Sequence, residues 1–281
     1  MYPTHLGKVR IEIMKTKIIA DVSSNHMGDM AIAQSIIKEA AHAGVDIVKF
    51  QSWQADRLRH DFPDYENTYQ RHKKTELSDD DHRTLIDICN QYGVEFLTTC
   101  FDSTRMDFLC SLGLKTIKVA SPDSMSLGMI GRLIDKFEHV IISTGMTSDV
   151  ELKKLVQYVK GKNVTLLHCV SLYPTPIENV NLERMLWIRS MGVDTGFSDH
   201  SLGVTAGMFA ISLGASILEK HITLSRSLPG KDQAMSTTPD EFKQICEWAD
   251  CVEKMKGTAQ HELSREEEYL QKIYRGKWGN N

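Results

Sequence analysis

One pattern of apolar and polar positions recurs along this chain. A helical stretch ends in glycine, and a short apolar run with a polar residue at its far end follows. Glycine is typical of a helix C-cap, where φ is positive, and a short apolar run between turn signals is typical of a buried strand. The five copies are AHAGVDIVKF, NQYGVEFLTT, CSLGLKTIKV, RSMGVDTGFS and ISLGASILEK, at 41–50, 90–99, 110–119, 189–198 and 211–220.

Eight strands alternating with helices are predicted from the whole pattern. The strands are predicted at 17–22, 46–51, 95–99, 116–121, 139–144, 164–169, 194–198 and 216–220. Helices are predicted at about 30–43, 77–92, 103–111 and 125–136, from Ser148 onward, and at 239–255. This alternation indicates an α/β fold with a parallel sheet, and eight repeats indicate a single-domain (β/α)8 TIM barrel.

The length of the chain leaves little room for a second domain. A barrel of this kind takes about 250 residues, and the chain has 281. We expect residues 1–16 to form an N-terminal extension, 17–258 the barrel and 259–281 a charged, partly disordered tail. One connection, at 52–77, is long and polar, which predicts a functional lid or disorder.

Composition narrows the possible partners and the compartment. The formal net charge is −4 with acids and bases interspersed, which indicates no nucleic-acid partner. The longest apolar stretch, roughly 205–219, is interrupted by Gly214 and is shorter than the ~20 residues that span a bilayer, so no membrane association is predicted. The N-terminal residues lack the apolar region of a signal peptide. The six cysteines form no C-x-x-C pair, which favours reduced thiols in a cytoplasmic protein.

Polar side chains stand at the carboxyl ends of the predicted strands, where TIM barrels place their active sites. Lys49, Lys118 and Glu219 each come five residues after the glycine of their repeat. Two lysines and several hydroxyls around one cavity suit a phosphate or a phosphorylated acid, although each lysine could instead extend outward or pair with a carboxylate. The residues at these ends are Asp21, Lys49, Gln51, Thr99, Lys118, Ser121, Ser143, His168, Ser171, Ser198, His200, Glu219 and His221.

Two histidines follow consecutive strands. His200 and His221 end strands 7 and 8, and adjacent strands lie about 4.8 Å apart, so both imidazoles could reach one metal ion. His168, inside an apolar strand, favours a hydrogen-bonded core position, while His26 could line the mouth or cap the next helix. Asp21 is a candidate general base or an ion-pair partner for a lysine.

The ordered set of motifs resembles the sialic acid synthase family, whose members condense phosphoenolpyruvate with an N-acylated hexosamine. The resemblance covers about 17–275. It depends on the order of the pieces more than on any one of them. The segments are ADVSSNHMGD, AGVDIVKFQ, IKVAS, ISTGM, LLHCVSLYPTP, GFSDHS, ILEKHIT and PGKDQAMS, starting at residues 20, 43, 117, 142, 166, 196, 217 and 229.

The resemblance implies a role for individual positions. It assigns His200 and His221 to a divalent metal, usually manganese, with magnesium or cobalt as alternatives. It places Asp21 at the reacting centre, and Tyr173 and Asp232 near the acceptor sugar. The positions implied for phosphoenolpyruvate are Lys49, Lys118, Ser121, Ser143, Ser171 and Ser198. We take Asp21, Lys49, Lys118 and His221 as the catalytic candidates, and add Gln51, at the end of strand 2, to the substrate-binding candidates.

Three positions and one whole domain depart from the family pattern. Asp21 stands where Glu is common, Ser171 where some members have Asn, and Cys100 where Pro is common. The sequence ends where typical members continue into a small antifreeze-like domain, which places an arginine over the partner subunit's site. We therefore regard the final residues as a linker remnant, and leave open a homodimer and a complex with a separate antifreeze-like polypeptide.

The expected reaction joins phosphoenolpyruvate to N-acetylmannosamine or a diacetamido-dideoxyhexose, giving a nonulosonic acid for polysaccharide biosynthesis and phosphate, with C–O cleavage. Three alternatives stay open: condensation with a phosphorylated or other aldehyde, a Schiff-base aldolase using Lys118, and a non-catalytic ligand-binding barrel. A phosphorylated acceptor would require a second basic cluster, for which Arg57, Arg59 and Arg71 are the candidates.

Overall fold

The chain folds into a closed parallel barrel in a computed structural model that describes residues 15–257 and 262–279. The strands are β1 (Lys17–Asp21), β2 (Ile47–Ser52), β3 (Glu95–Cys100), β4 (Thr116–Val119), β5 (His139–Ser143), β6 (Val164–Cys169), β7 (Asp194–Asp199) and β8 (Ile217–His221). They pair in chain order, and β8 closes the barrel against β1, with His221 in register with Asp21. The predicted TIM-barrel fold is confirmed.

The described part of the chain contains ten α-helices. They are α1 (Met30–Ala43), α2 (Tyr65–Lys74), α3 (Asp79–Tyr92), α4 (Met106–Ser111), α5 (Leu127–Lys136), α6 (Asp149–Val159), α7 (Glu183–Ser190), α8 (Thr205–Ser212), α9 (Pro239–Met255) and α10 (Arg265–Tyr274). Among these residues, no helix combines the length and the apolar character that crossing a bilayer requires.

The alternation of side chains along the strands divides the interior from the helical layer. One apolar cluster fills the lower barrel and consists of Ile19, Ile47, Leu97, Ile141, Leu167 and Ile217. Side chains two residues further along a strand point the same way, and at this level the chain has Asp21, Lys49, Thr99, Ser143, Cys169 and Glu219. The barrel interior is therefore apolar below and polar toward its carboxyl end.

The glycine of each repeat ends a helix as the sequence pattern predicts. Gly44 and Gly93 adopt positive φ values of 90° and 72° directly after α1 and α3, and their amides bond back to the last turn. Gly113, Gly192 and Gly214 also have positive φ. These turns precede β2, β3, β4, β7 and β8 at the bottom of the barrel. Because all eight strands are parallel, their last residues meet at the same rim.

Three parts of the chain hold elements that the sequence analysis did not assign. The 52–77 connection contains α2, and the proline-rich segment after β6 contains a short 3-10 turn at Ile177–Asn179. The proposed C-terminal tail contains α10, whose first turn is capped reciprocally by Ser264 and Glu267. The rest of the proposed N-terminal extension, up to residue 14, and residues 258–261, 280 and 281 lie outside the described residues.

Candidate active site

A cavity of about 290 Å³ opens at the carboxyl end of the barrel. It is lined by eleven of the twelve residues that the sequence analysis singled out for the site. They are Asp21, Lys49, Gln51, Lys118, Ser121, Ser143, Tyr173, Ser198, His200, His221 and Asp232. The twelfth, Ser171, lies just behind the wall of the cavity, close to Gly145.

Two lysines and two carboxylates form a buried charge cluster on the cavity floor. Lys49 Nζ lies 2.8 Å from Asp21 Oδ2 and 3.7 Å from Glu219 Oε2, and Lys118 Nζ lies 3.5 Å from Glu219 Oε1. All four side chains are at most 6% exposed. Since an unpaired buried charge is costly, the carboxylates stabilise the charged lysines.

The same geometry perturbs the acid–base behaviour of the cluster. Burial alone would lower the pKa of Lys49, but the negative charges of Asp21 and Glu219 outweigh this effect and raise the pKa. Burial and the nearby Lys49 lower the pKa of Lys118 despite Glu219. Burial alone would raise the pKa of Glu219, but Lys118, Lys49 and a hydrogen bond from Ser198 lower it to about 2. Glu219 is therefore the ionised carboxylate that both lysines share.

Hydroxyl groups surround the two ammonium groups. Lys118 Nζ donates to Ser143 Oγ at 2.6 Å, and Lys49 Nζ donates to Thr99 Oγ1 at 3.2 Å. Hydroxyls and ammonium groups together offer the donors that a phosphate or carboxylate accepts.

Three further polar groups meet around Gly145. Its amide donates to Ser121 Oγ at 3.0 Å, while Ser171 Oγ is buried and has no hydrogen-bond partner among the described residues. A Cβ at position 145 would lie 2.2 Å from Ser171 Oγ and 2.9 Å from Ser121 Oγ. The absence of a side chain here creates a small hydroxyl-lined recess suited to an anion.

The two histidines stand side by side on the rim. The ring centroids of His200 and His221 are 5.4 Å apart. His200 Nδ1 donates to the Val170 carbonyl at 3.0 Å, so Nε2 is the acceptor nitrogen when the ring is neutral. Burial alone would lower the pKa of His200, but Cys169 and the Val170 carbonyl raise it. His221 Nδ1 is buried without a hydrogen-bond partner in the described part of the chain, and burial lowers the pKa of this ring, which favours the neutral form that metals require.

These histidines fit a metal ion as a pair. No group of three or more His, Cys, Asp or Glu side chains within 15–257 and 262–279 is arranged to hold a metal. The protein would thus contribute two imidazoles, and substrate or water oxygens would complete the coordination, as in open catalytic sites. Asp21 Oδ2 lies 3.9 Å from His221 Nε2, so a carboxylate stands beside this position.

Aromatic and polar groups continue the rim beside the two histidines. The Tyr173 ring lies 4.3 Å from that of His200, centroid to centroid, and half of Tyr173 is exposed. Asp232 Oδ2 accepts hydrogen bonds from Ser23 and Ser24, at 2.9 and 3.5 Å, in the loop after β1. Trp53, Arg71 and Lys231 complete this outer wall.

Two histidines do not contribute to the cavity. His168 Nε2 donates to the Val180 carbonyl at 2.8 Å and the ring stacks on Phe197, which is the core position that the sequence analysis favoured. His26 is a buried residue of the loop after β1, its Nδ1 accepts from the Gly28 amide at 3.2 Å, and burial lowers its pKa to about 4.

Glu219, Thr99 and Cys169 also line the cavity, although no role was predicted for them from the sequence. Glu219 shares the glycine offset of the two lysines and so had a signal that could have found it. Thr99 had only its place at a strand end. Cys169 Sγ lies 3.7 Å from His200 Nδ1; burial alone would raise its pKa, but His200 and neighbouring donors lower it. Of the three arginines named as candidates for a phosphorylated acceptor, only Arg71 lines the cavity, and only its charge in a long polar connection had marked it.

Comparison with known proteins now decides the family. The model of the NeuB family matches residues 36–261. The chain belongs to the NeuB family.

Individual relatives cover most of this NeuB-family chain. N,N'-diacetyllegionaminic acid synthase of Legionella pneumophila is 34% identical over 92% of this chain and 78% of its own length. Human N-acetylneuraminate-9-phosphate synthase is 31% identical over 88% of this chain and 72% of its own. A crystal structure of N-acetylneuraminic acid synthetase from Leptospira borgpetersenii, bound to citrate, has a TM-score of 0.86 at 28% identity and covers 95% of this chain and 94% of that chain.

Proposed function

We propose that this protein condenses phosphoenolpyruvate with an N-acylated hexosamine aldehyde, giving a nonulosonic acid and phosphate. It is a phosphoenolpyruvate-dependent synthase, a transferase, like the NeuB-family synthases that it matches. The observation that carries the proposal for this site is the juxtaposition of a buried lysine pair with two imidazoles that retain unpaired nitrogens, in one cavity.

The lysine pair and the hydroxyls around it suit phosphoenolpyruvate. Lys49 and Lys118 would neutralise its phosphate and carboxylate, and Ser121, Ser143 and Ser198 would donate hydrogen bonds to them. Because these donors are held in place before the ligand arrives, they stabilise developing negative charge at little cost in reorganisation. Ser171, whose unpaired hydroxyl lies next to Gly145, would add a further donor.

The bond changes follow from the two substrates. Carbon 3 of phosphoenolpyruvate forms a bond to the aldehyde carbon, whose oxygen takes up a proton, and water adds at carbon 2. The resulting tetrahedral carbon breaks its C–O bond to phosphate, which leaves, and the 2-oxo acid forms. Asp21, fixed by Lys49 and by the Ser23 amide at 3.0 Å, would orient this water and accept its proton.

His200 and His221 would hold a divalent metal ion, with manganese as the first candidate. When bound, such an ion supplies Lewis-acid polarisation of the aldehyde. Tyr173, beside His200, and Asp232, in the segment after β8, would contact the sugar and orient it toward carbon 3 of phosphoenolpyruvate.

The test is phosphate release from phosphoenolpyruvate with Mn²⁺, with and without a panel of N-acylated hexosamines, products being identified by mass. We expect sugar-dependent release of phosphate and a product whose mass equals that of the sugar plus pyruvic acid. Release without sugar, or none with any sugar despite bound phosphoenolpyruvate, would contradict the proposal.

Two variants test the assignments within the site. His221→Ala should abolish metal-dependent turnover and lower the amount of bound metal measured by elemental analysis. Unchanged metal content and activity would show that His221 is not a metal ligand.

Lys118→Met should raise the KM for phosphoenolpyruvate more than the KM for the sugar. A change in the KM for the sugar alone would reject the role assigned to Lys118.

A further inference from the structure

Helix α2 brings a guanidinium to the outer wall of the active-site cavity. Arg71 lines the cavity, yet within the described residues its only hydrogen-bond partner is Thr68 Oγ1, 3.4 Å from Nη2, and no carboxylate lies within 4 Å. The other arginines of this connection differ, since Arg57 pairs with Asp102 and Arg59 with Asp61, and neither lines the cavity. Arg71 thus faces the cavity with most of its five donors available.

The residues next to Arg71 are fixed to the barrel rim. Trp53, directly after β2, donates from Nε1 to the His72 carbonyl at 3.1 Å, and the centroids of the Trp53 and His72 rings are 5.0 Å apart. The Lys74 carbonyl packs on Gly28, where an added Cβ would lie only 2.1 Å from the carbonyl oxygen. Since Gly28 has a φ of 77° as well, glycine is required there for both reasons. These contacts hold the last turn of α2, and with it Arg71, over the mouth.

The position of Arg71 separates it from the hydroxyl donors proposed for phosphoenolpyruvate. Ser121, Ser143 and Ser171 follow β4, β5 and β6, which lie two, three and four strands around the barrel from β2, the strand that α2 follows. Lys49 is on β2 itself, but its ammonium group is at the cavity floor, between Asp21 and Glu219. The Lys74 carbonyl of α2 contacts Gly28 in the loop after β1, and Ser23 of the same loop donates to Asp232. This is the wall to which the proposed function assigns the sugar.

We propose that Arg71 is an acceptor-binding residue, donating hydrogen bonds to oxygens at the end of the sugar remote from its aldehyde. The proposal rests on the proposed function above. The oxygens could belong to neutral hydroxyl and acyl groups or to a phosphate, since a guanidinium donates to both. Kinetics with the two kinds of sugar distinguish these sources.

The test compares Arg71→Met with Arg59→Met, which makes the same replacement in the same connection outside the cavity. We expect Arg71→Met to raise the KM for the sugar about 10- to 100-fold, the loss typical of a charged hydrogen bond, with the KM for phosphoenolpyruvate unchanged. An effect on N-acetylmannosamine would assign neutral oxygens, and an effect only on its 6-phosphate would assign the phosphate. The proposal would be overturned if both variants raised the sugar KM equally or if Arg71→Met left it unchanged. It would also be overturned if Arg71→Met raised the KM for phosphoenolpyruvate by the same factor.

A second pair of variants tests the docking of α2. Gly28→Ala should push away the Lys74 carbonyl and raise the sugar KM selectively, as Arg71→Met does. Gly93→Ala is the matched control, because Gly93 has a similar φ of 72° but open space around it. If Gly28→Ala leaves the sugar KM at the level of Gly93→Ala, the contact does not position Arg71.

A binding measurement separates this inference from the proposed function. Saturation-transfer NMR reports binding of N-acetylmannosamine or its 6-phosphate to the enzyme without turnover. Loss of the signal in Arg71→Met but not in Arg59→Met supports the assignment even if the wild type releases no phosphate. Equal signals in both variants overturn it, whatever the outcome of the turnover assay.

Discussion

At the scale of single residues, Glu219 joins the two halves of the charge cluster. Its two oxygens lie 3.5 Å from Lys118 and 3.7 Å from Lys49, and it also accepts from Ser198 Oγ at 2.8 Å. Asp21 pairs with Lys49, so the cluster contains two lysines and two carboxylates. An arriving phosphoenolpyruvate would therefore compete with Glu219 for the lysines, so that Glu219 stabilises the empty site and limits the affinity for the ligand.

The lowered pKa of Glu219 predicts a defined pH dependence of stability. A carboxyl whose folded pKa, about 2, lies below the unfolded value of 4.5 stabilises the fold above pH 4.5, and this contribution is lost as the pH falls toward 2. We expect Glu219→Gln to be less stable than the wild type at neutral pH, because the lysines lose their shared counter-charge. Between pH 4.5 and 2, its unfolding free energy should fall less steeply, by up to about 1.4 kcal/mol per pH unit.

Urea unfolding at a series of pH values measures both slopes. Parallel slopes for the wild type and Glu219→Gln across this range would mean that Glu219 is not the group that titrates. A variant as stable as the wild type at neutral pH would mean that the lysines do not depend on it.

Individual cavity residues could be predicted from the sequence where the glycine repeat marked their positions. The fixed offset from glycine identified Lys49 and Lys118, and both contact the cavity. Glu219 shares that offset but received no role, because spacing along the chain does not reveal that its carboxylate lies between the two lysines. Arg71 had no repeat to mark it, since its position depends on tertiary contacts between α2 and the rim.

At the scale of elements, the turn after β5 shapes the recess below the proposed phosphoenolpyruvate site. We expect Gly145→Ala to weaken phosphoenolpyruvate binding on the order of 10-fold, because the new methyl group would displace the hydroxyls of Ser121 and Ser171. Titration calorimetry with phosphoenolpyruvate measures this. The control is Gly128→Ala in α5, where nothing lies within 4 Å of the added Cβ. Equal affinities for the two variants would show that the recess does not hold the ligand.

The elements that the sequence predicted best are those with strong end signals. The predicted helix at 239–255 matches α9, which begins with proline after a Thr238–Glu241 capping box. The tail contained the same kind of signal, Ser264 followed by Glu267, and its charge led to an expectation of partial disorder instead. Helix α2 lies in a polar stretch without an apolar period, so its docking through Trp53 and Gly28 had no counterpart in the local pattern.

At the scale of the whole molecule, barrel closure assembles the site. Asp21 and His221 are 200 positions apart, yet they are register partners across the β1–β8 pair. Lys49 on β2 reaches Glu219 on β8 past β1, which lies between these two strands. Counting strands was enough to predict this architecture, because eight parallel strands can close in only a few ways, whereas distances across the mouth required the closed barrel itself.

Because strands from around the barrel contribute to the cavity, ligand binding should stabilise the molecule as a unit. A ligand at 100 times its Kd that binds only the folded state adds about 2.7 kcal/mol, which for a chain of this size raises the Tm by about 5–10 °C. We expect phosphoenolpyruvate alone to produce such a shift in a metal-free thermal scan, since its proposed donors are lysines and serines. Lys118→Met should lose most of the shift, whereas Arg71→Met, on the acceptor wall, should retain it. If Arg71→Met abolished the shift while Lys118→Met preserved it, phosphoenolpyruvate would lie on the α2 side of the cavity, and the assignment of the two walls would have to be reversed.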